Sequence, residues 1–87
     1  VLLKKNDLYK SSLISKLLLE LQRNPKNKFN LKKEIKKIKE IINNLENVKI
    51  EYLEVRNKSN LSKNYSLRNF KIFLAYYIDN VRLIDNY

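Results

Sequence analysis

Phe70-Lys71-Ile72-Phe73-Leu74-Ala75-Tyr76-Tyr77-Ile78-Asp79-Asn80-Val81-Arg82-Leu83-Ile84-Asp85-Asn86 is the stretch on which the fold turns. An apolar run from Phe70 to Ile78 meets a polar turn at Asp79-Asn80, and Val81-Arg82-Leu83-Ile84 returns. That order is a β-hairpin signal. The continuity of the run predicts a strand in a central position, with Lys71 bringing its start to solvent. Tyr76 and Tyr77 are consecutive strand residues and face opposite ways, so at most one of them can line a cleft.

Upstream, Val48 to Arg56 alternates as a strand does, with Val48, Ile50 and Tyr52 to one side and Lys49 and Glu51 to the other. The alternation then slips, because Leu53 and Val55 become the apolar pair. A β-bulge, or a strand partly covered on both faces, accounts for the slip. Asn57 to Asn69 reads as a loop anchored by Leu61, Tyr65 and Leu67.

The first half of the chain changes period. Leu31, Ile35, Ile38, Ile41, Ile42 and Leu45 share one face of a helix that Asn30 can cap. Lys32, Lys33, Lys36, Lys37 and Lys39 fill the rest of its arc, and Asn43, Asn44 and Asn47 suit an exit turn. Before it, Asn6 or Asp7 can cap a helix running to about Gln22, with Leu8, Leu13, Leu17 and Leu21 in its stripe beside Ile14 and Leu18. Arg23 to Lys28, with Pro25, is the break. The fold class predicted is α+β: two helices packed on one face of a small three-stranded, mostly antiparallel sheet, in the order α-α-β-β-β.

With 87 residues there is room for one small domain, residues 1–87. A domain of that size buries about 60–65% of the surface its unfolded chain exposes, so its stability is modest. Cysteine and histidine are both absent, which excludes disulfides, thiolate metal sites and imidazole acid–base chemistry. No apolar run approaches the roughly 20 residues of a membrane span. Lys plus Arg number 19 against 9 Asp plus Glu, a net charge of +10. That balance raises nucleic-acid binding, but the abundance of Lys, Asn, Ile and Leu is also what A/T-rich coding produces.

Three segments resemble the C-terminal domain of the pantothenate synthetase (pantoate–β-alanine ligase) family, in order and spacing. Leu8-Tyr9-Lys10 opens the first helix as the family's helix opens after its ATP-binding loop. Ile50-Glu51-Tyr52-Leu53-Glu54-Val55-Arg56 resembles the family's "v-d-Y-L-E-l-r/v" strand. Phe73-Leu74-Ala75-Tyr76-Tyr77-Ile78 with Arg82-Leu83-Ile84-Asp85-Asn86 resembles its closing "l-v-A-a-x-x-G-x-x-R-L-I-D-N". Asp79 departs from it, standing where the family has glycine. The turn there needs positive φ, which Asp and Asn tolerate next best, so the hairpin is expected to persist at a small cost in stability.

The resemblance implies an enzyme that activates (R)-pantoate with ATP and Mg2+ as pantoyl adenylate. β-Alanine then displaces AMP, giving pantothenate for coenzyme A. It implies a cytoplasmic protein, a homodimer when full length, whose dimer contacts lie largely in a Rossmann-type N-terminal catalytic domain. The family's "H-x-G-H" and "S-S-R-N" motifs belong to that domain and are not in this sequence. The chain, opening on Val1, is accordingly read as a fragment: a lid that packs on the catalytic domain and shields the adenylate from water. No catalytic, cofactor-binding or metal-ligating residue transfers onto it, and the fragment alone is expected to be inactive.

The remaining candidates have ordinary readings beside functional ones. Arg82 and Asp85 are a possible pair at a domain junction, but paired structural charge and a turn or cap residue are the readings favoured. Tyr76 and Tyr77 are expected to pack in the core or on the sheet surface. Glu51 and Glu54 are expected on opposite faces of a regular strand, which disfavours them as paired acids or metal ligands. The alternative function is a small basic nucleic-acid-binding module using the lysines of the second helix, Lys36 and Lys37 among them. Against it, no recognition motif or exposed aromatic platform is legible.

Overall fold

The computed structural model describes residues 5–87. Two helices, α1 (Lys5–Arg23) and α2 (Lys28–Asn43), precede three strands, β1 (Val48–Asn57), β2 (Phe70–Ile78) and β3 (Val81–Asn86). The strands form one antiparallel sheet in the order β1-β2-β3, so β2 is central as its apolar continuity predicted.

Each helix starts earlier than its expected cap. Asn27 caps α2: its Oδ1 accepts from the Asn30 backbone N–H at 2.7 Å and its backbone is extended. Asn30 therefore donates the capping bond through its backbone N–H, one turn inside. Asn27 is favoured because Pro25 holds the preceding chain out of helix, leaving the first side-chain acceptor after it to satisfy the free N–H groups. In α1 the helix already includes Lys5, so Asn6 and Asp7 lie within its first turn. Asp7 is buried there, an acid near the positive end of the helix dipole with Lys10 Nζ 3.9 Å away. Lys10 also donates to the Glu46 carbonyl at 2.6 Å, tying α1 to the turn after α2.

Ile14, Leu18 and Leu21 from α1 and Leu31, Ile38 and Ile42 from α2 close over one face of the sheet. Two expected members of these stripes lie outside. Leu8 is 56% exposed and Ile41 38%, because each sits at the margin of its helix's apolar arc. Phe70, Ile72, Leu74, Tyr76 and Ile78, every second residue of β2, supply the floor of the core, and all are buried.

β1 carries the bulge. Ile50 pairs with Tyr76, but Tyr52 pairs with Ala75, leaving Glu51 as the extra residue. The insertion resets the pleat so that Val48 and Ile50 before it, and Leu53 and Val55 after it, all turn to the helices. Downstream, Asn57 organises the long loop: its Oδ1 accepts from the Ser59 and Asn60 N–H groups at 2.8 and 3.3 Å. Tyr65 and Leu67 anchor the loop on the core. Leu61 does not: it is 59% exposed with φ 61°, a turn position rather than a packed one.

The hairpin turns at Asp79, φ 53°, whose N–H donates to the carbonyl of Asn47 at 2.9 Å. Asn47 is itself left-handed at φ 63°, so the α2–β1 turn and the hairpin brace each other. β3 runs two residues further than the sequence suggested. Asp85 pairs with Leu74 inside the strand rather than serving as a turn or cap residue, and Ile72 and Tyr87 then exchange backbone hydrogen bonds of 2.7 and 2.8 Å. The ladder continues because β2 offers free backbone partners down to Ile72, and leaving them unpaired beneath α1 would be costly.

Candidate functional site

Three places gather polar or aromatic side chains. Between α1 and β3 runs a groove of about 600 Å³ lined by Ser11, Ser12, Ser15, Lys16, Arg23 and Asp85 among others. Below it the Tyr76 hydroxyl donates to Ser11 Oγ at 3.2 Å, and the Tyr87 hydroxyl donates to Asp85 Oδ2 at 3.1 Å. Burial pushes the Tyr76 phenol up from its ordinary value, opposed by the Ser11 hydrogen bond and aided by the Asp85 charge. Tyr87 is pushed up to about 12, again chiefly by burial, with the Ser15 hydroxyl pulling the other way and Asp85 adding to the rise. Both phenols are therefore firmly neutral donors, suited to holding structure and unsuited to accepting a proton near neutral pH.

The second place is the mouth between α2 and the β1–β2 loop, a cavity of about 330 Å³ walled by Lys32, Arg56, Lys63 and Tyr65. Lys28 Nζ sits 5.2 Å from the centre of the Tyr65 ring, a cation–π contact, and Phe70 packs at 6.4 Å on the same ring. The Tyr65 hydroxyl is buried without a hydrogen-bond partner.

The third is the outer face of the sheet, which the helices leave uncovered. Arg82 donates to Glu51 Oε2 through Nε at 3.0 Å and Nη2 at 2.6 Å, and the carboxylate raises its pKa further. Arg56 donates to Glu54 Oε2 through Nη2 alone, at 2.6 Å, and its Nη1 donates to the Val55 carbonyl at 3.3 Å. Here the bulge overturns an expectation. Arg82 pairs with outward-facing Tyr77, so Glu51, which reaches it, lies on the same side as Glu54. Sharing a face does not make them a working pair, since each carboxylate is held by its own arginine.

Of the residues singled out in the sequence, the structure thus joins Arg82 with Glu51, and Asp85 with Tyr87. It separates Tyr76, in the core, from Tyr77, on the outer face, as the alternation required. Lys32, Lys33, Lys36, Lys37 and Lys39 are all exposed, and Phe29 beside them is 79% exposed. Sequence reasoning missed the Tyr65–Lys28 contact and the Ser11–Tyr76 bond, which join elements far apart in the chain. It also missed the aromatics of the outer face. Their signal was present in the parity of Phe73, Ala75 and Tyr77, which oppose the core residues of β2.

Among the described residues no three His, Cys, Asp or Glu side chains converge to hold a metal ion, and no helix is long and apolar enough to cross a membrane. Fold and site together define a two-layer α+β domain, two helices over one face of a three-stranded antiparallel sheet. The Pantoate-beta-alanine ligase family model matches residues 1–87, the whole chain, and the chain belongs to that family. Neither a curated protein nor a solved structure gives a significant match.

Proposed function

We propose that this chain is the C-terminal lid domain of a pantoate–β-alanine ligase. In that reading the complete enzyme joins (R)-pantoate and β-alanine in the cytoplasm, consuming ATP and releasing AMP and pyrophosphate. The family match over residues 1–87 is the observation that carries it. Its complement is a chain without a single histidine, in a family whose chemistry is expected to rest on the H-x-G-H motif. ATP, Mg2+, pantoate and β-alanine are assigned to an N-terminal catalytic domain, as the family resemblance implies. The lid's contribution is to exclude water from the adenylate, whose hydrolysis competes with attack by β-alanine.

The test is complementation. Incubated alone with pantoate, β-alanine, ATP and Mg2+, the chain should release no AMP and form no pantothenate. Added to the histidine-bearing domain of a family member lacking its own C-terminal part, it should raise pantothenate formed per ATP consumed. Turnover by the chain alone, or no effect on that ratio, overturns the reading.

The exposed lysine arc of α2 with Phe29 at its start supports a second reading, binding to a nucleic-acid backbone. Affinity for single- or double-stranded oligonucleotides would then fall steeply with salt and weaken on Lys36→Ala and Lys37→Ala. Binding indifferent to both substitutions would dismiss it.

A further inference from the structure

The N-terminal end of a helix is positive and ordinarily attracts acids. The first turn of α2 holds none: Lys28 opens the helix, and Lys32 follows one turn on. Lys32 and Lys63 of the β1–β2 loop stand on the wall of the 330 Å³ cavity beneath that end. Lys28 joins them through its contact with the Tyr65 ring. Among the described residues no carboxylate pairs with any of these three lysines. Glu54 also lines the cavity, but its carboxylate is bound by Arg56, whose remaining contact is to the Val55 carbonyl. Positive charge is thus concentrated around one opening and left uncompensated.

Deeper in, the wall is apolar, formed by Ile35, Leu53, Val55 and the Tyr65 ring. Tyr65 is only 8% exposed, and its hydroxyl has no partner in the protein. Burial raises its pKa, so near neutral pH it is a donor without an acceptor.

We propose that this cavity binds a small phosphomonoester, its phosphate among Lys28, Lys32 and Lys63 and its carbon skeleton against Ile35, Leu53 and Val55. Three ammonium groups are point charges that suit a doubly charged group rich in oxygens. A lone carboxylate is better matched by the planar fork of an arginine, and Arg56 is already engaged. A phosphate oxygen seated against Tyr65 supplies the acceptor its hydroxyl lacks. The volume lies at the lower end for small-molecule sites and exceeds what inorganic phosphate fills, which leaves room for the apolar part. A nucleic-acid backbone would instead follow the lysine arc along α2, and Lys36 and Lys37 of that arc do not line the cavity. The site does not rest on the reading of the chain as a lid.

Calorimetric titration of the 87-residue chain in phosphate-free buffer at about 0.15 M salt tests this. Phenyl phosphate should bind about tenfold more tightly than benzoate, which has the same ring and a single charge. Inorganic phosphate, lacking the ring, should bind more weakly than phenyl phosphate. Lys32→Ala and Lys63→Ala should each weaken phenyl phosphate roughly fivefold, and Tyr65→Phe should weaken it too. Lys36→Ala and Lys37→Ala should leave it unchanged. Both cavity lysines are exposed, so the fold should persist, and circular dichroism checks it. Phenyl phosphate bound no more tightly than benzoate or inorganic phosphate overturns the proposal. So do equal losses in the Lys36 and Lys37 variants, which would mark a diffuse charged surface.

Discussion

Arg82 on β3 and Glu51 on β1 are bonded to each other across the full width of the sheet, although β2 lies between their strands. Adjacent strands lie about 4.8 Å apart, so two long side chains and the extra reach of a bulged residue are needed to span them. The contact therefore depends on the bulge at Glu51 as much as on the two charges. It links the edge strands over the top of Tyr77 and reports on sheet closure.

Arg82→Ala should lower the melting temperature, and Arg82→Lys should recover only part of the loss because an ammonium cannot form the two-pronged contact. Glu51→Gln should resemble Arg82→Ala, and the double variant should be no worse than either single one. Strictly additive losses in thermal melts would show that the two side chains act separately.

Tyr65→Phe should leave the protein as stable or more stable, by up to about 1 kcal/mol, because it removes a buried hydroxyl that has no partner. The ring, with its Lys28 and Phe70 contacts, is retained. Tyr65→Ala, which deletes the ring as well, should cost about 3–5 kcal/mol. Chemical denaturation of the two variants separates these contributions, and a clear loss in Tyr65→Phe would mean that the hydroxyl is bonded in solution.

Asp79 holds φ 53°, where a Cβ is strained. Asp79→Gly should relieve the turn and stabilise by up to about 1 kcal/mol, whereas Asp79→Val should destabilise by roughly 1–2 kcal/mol. Opposite signs in urea midpoints are the expected result; equal losses for both would place the Asp79 side chain, not its backbone, in control of the hairpin.

Stability should fall at alkaline pH. Burial raises Tyr65, Tyr76 and Tyr87 above their ordinary value of 10.0, Tyr87 to about 12. A phenol whose folded pKa is raised releases its proton more readily once unfolded. Its contribution is therefore complete below pH 10 and is lost as pH climbs towards 12. Tyr87→Phe should flatten that loss, read from melting temperatures across the range. An unchanged slope would assign the alkaline sensitivity to other groups.

Where sequence patterns were strong, element type and order could be read directly. The run from Phe70 to Ile78 became the central strand over those same residues; the slip in β1 proved to be a bulge, but it lies before Tyr52, at Glu51, and so turns Tyr52 away from Val48 and Ile50. The cap of α2 was misplaced by about a turn, because Asn27 and Asn30 are equally good capping side chains and only the entry path of the backbone chooses between them. The ordinary reading of Arg82 as paired charge was legible too, but not its partner, thirty-one residues away in the chain.

Local periodicity and charge, which need only neighbouring residues, determined the two helices, the three strands and the lack of any histidine- or cysteine-based chemistry. Tertiary structure alone decided which side of the sheet the helices cover, and hence that Tyr52, Phe73 and Tyr77 stand together on the uncovered one. It also brought Ser11 to Tyr76 and turned Glu51 onto the face of Glu54. Those outcomes depend on a single inserted residue, which resets the pleat, and on contacts between segments distant in the chain.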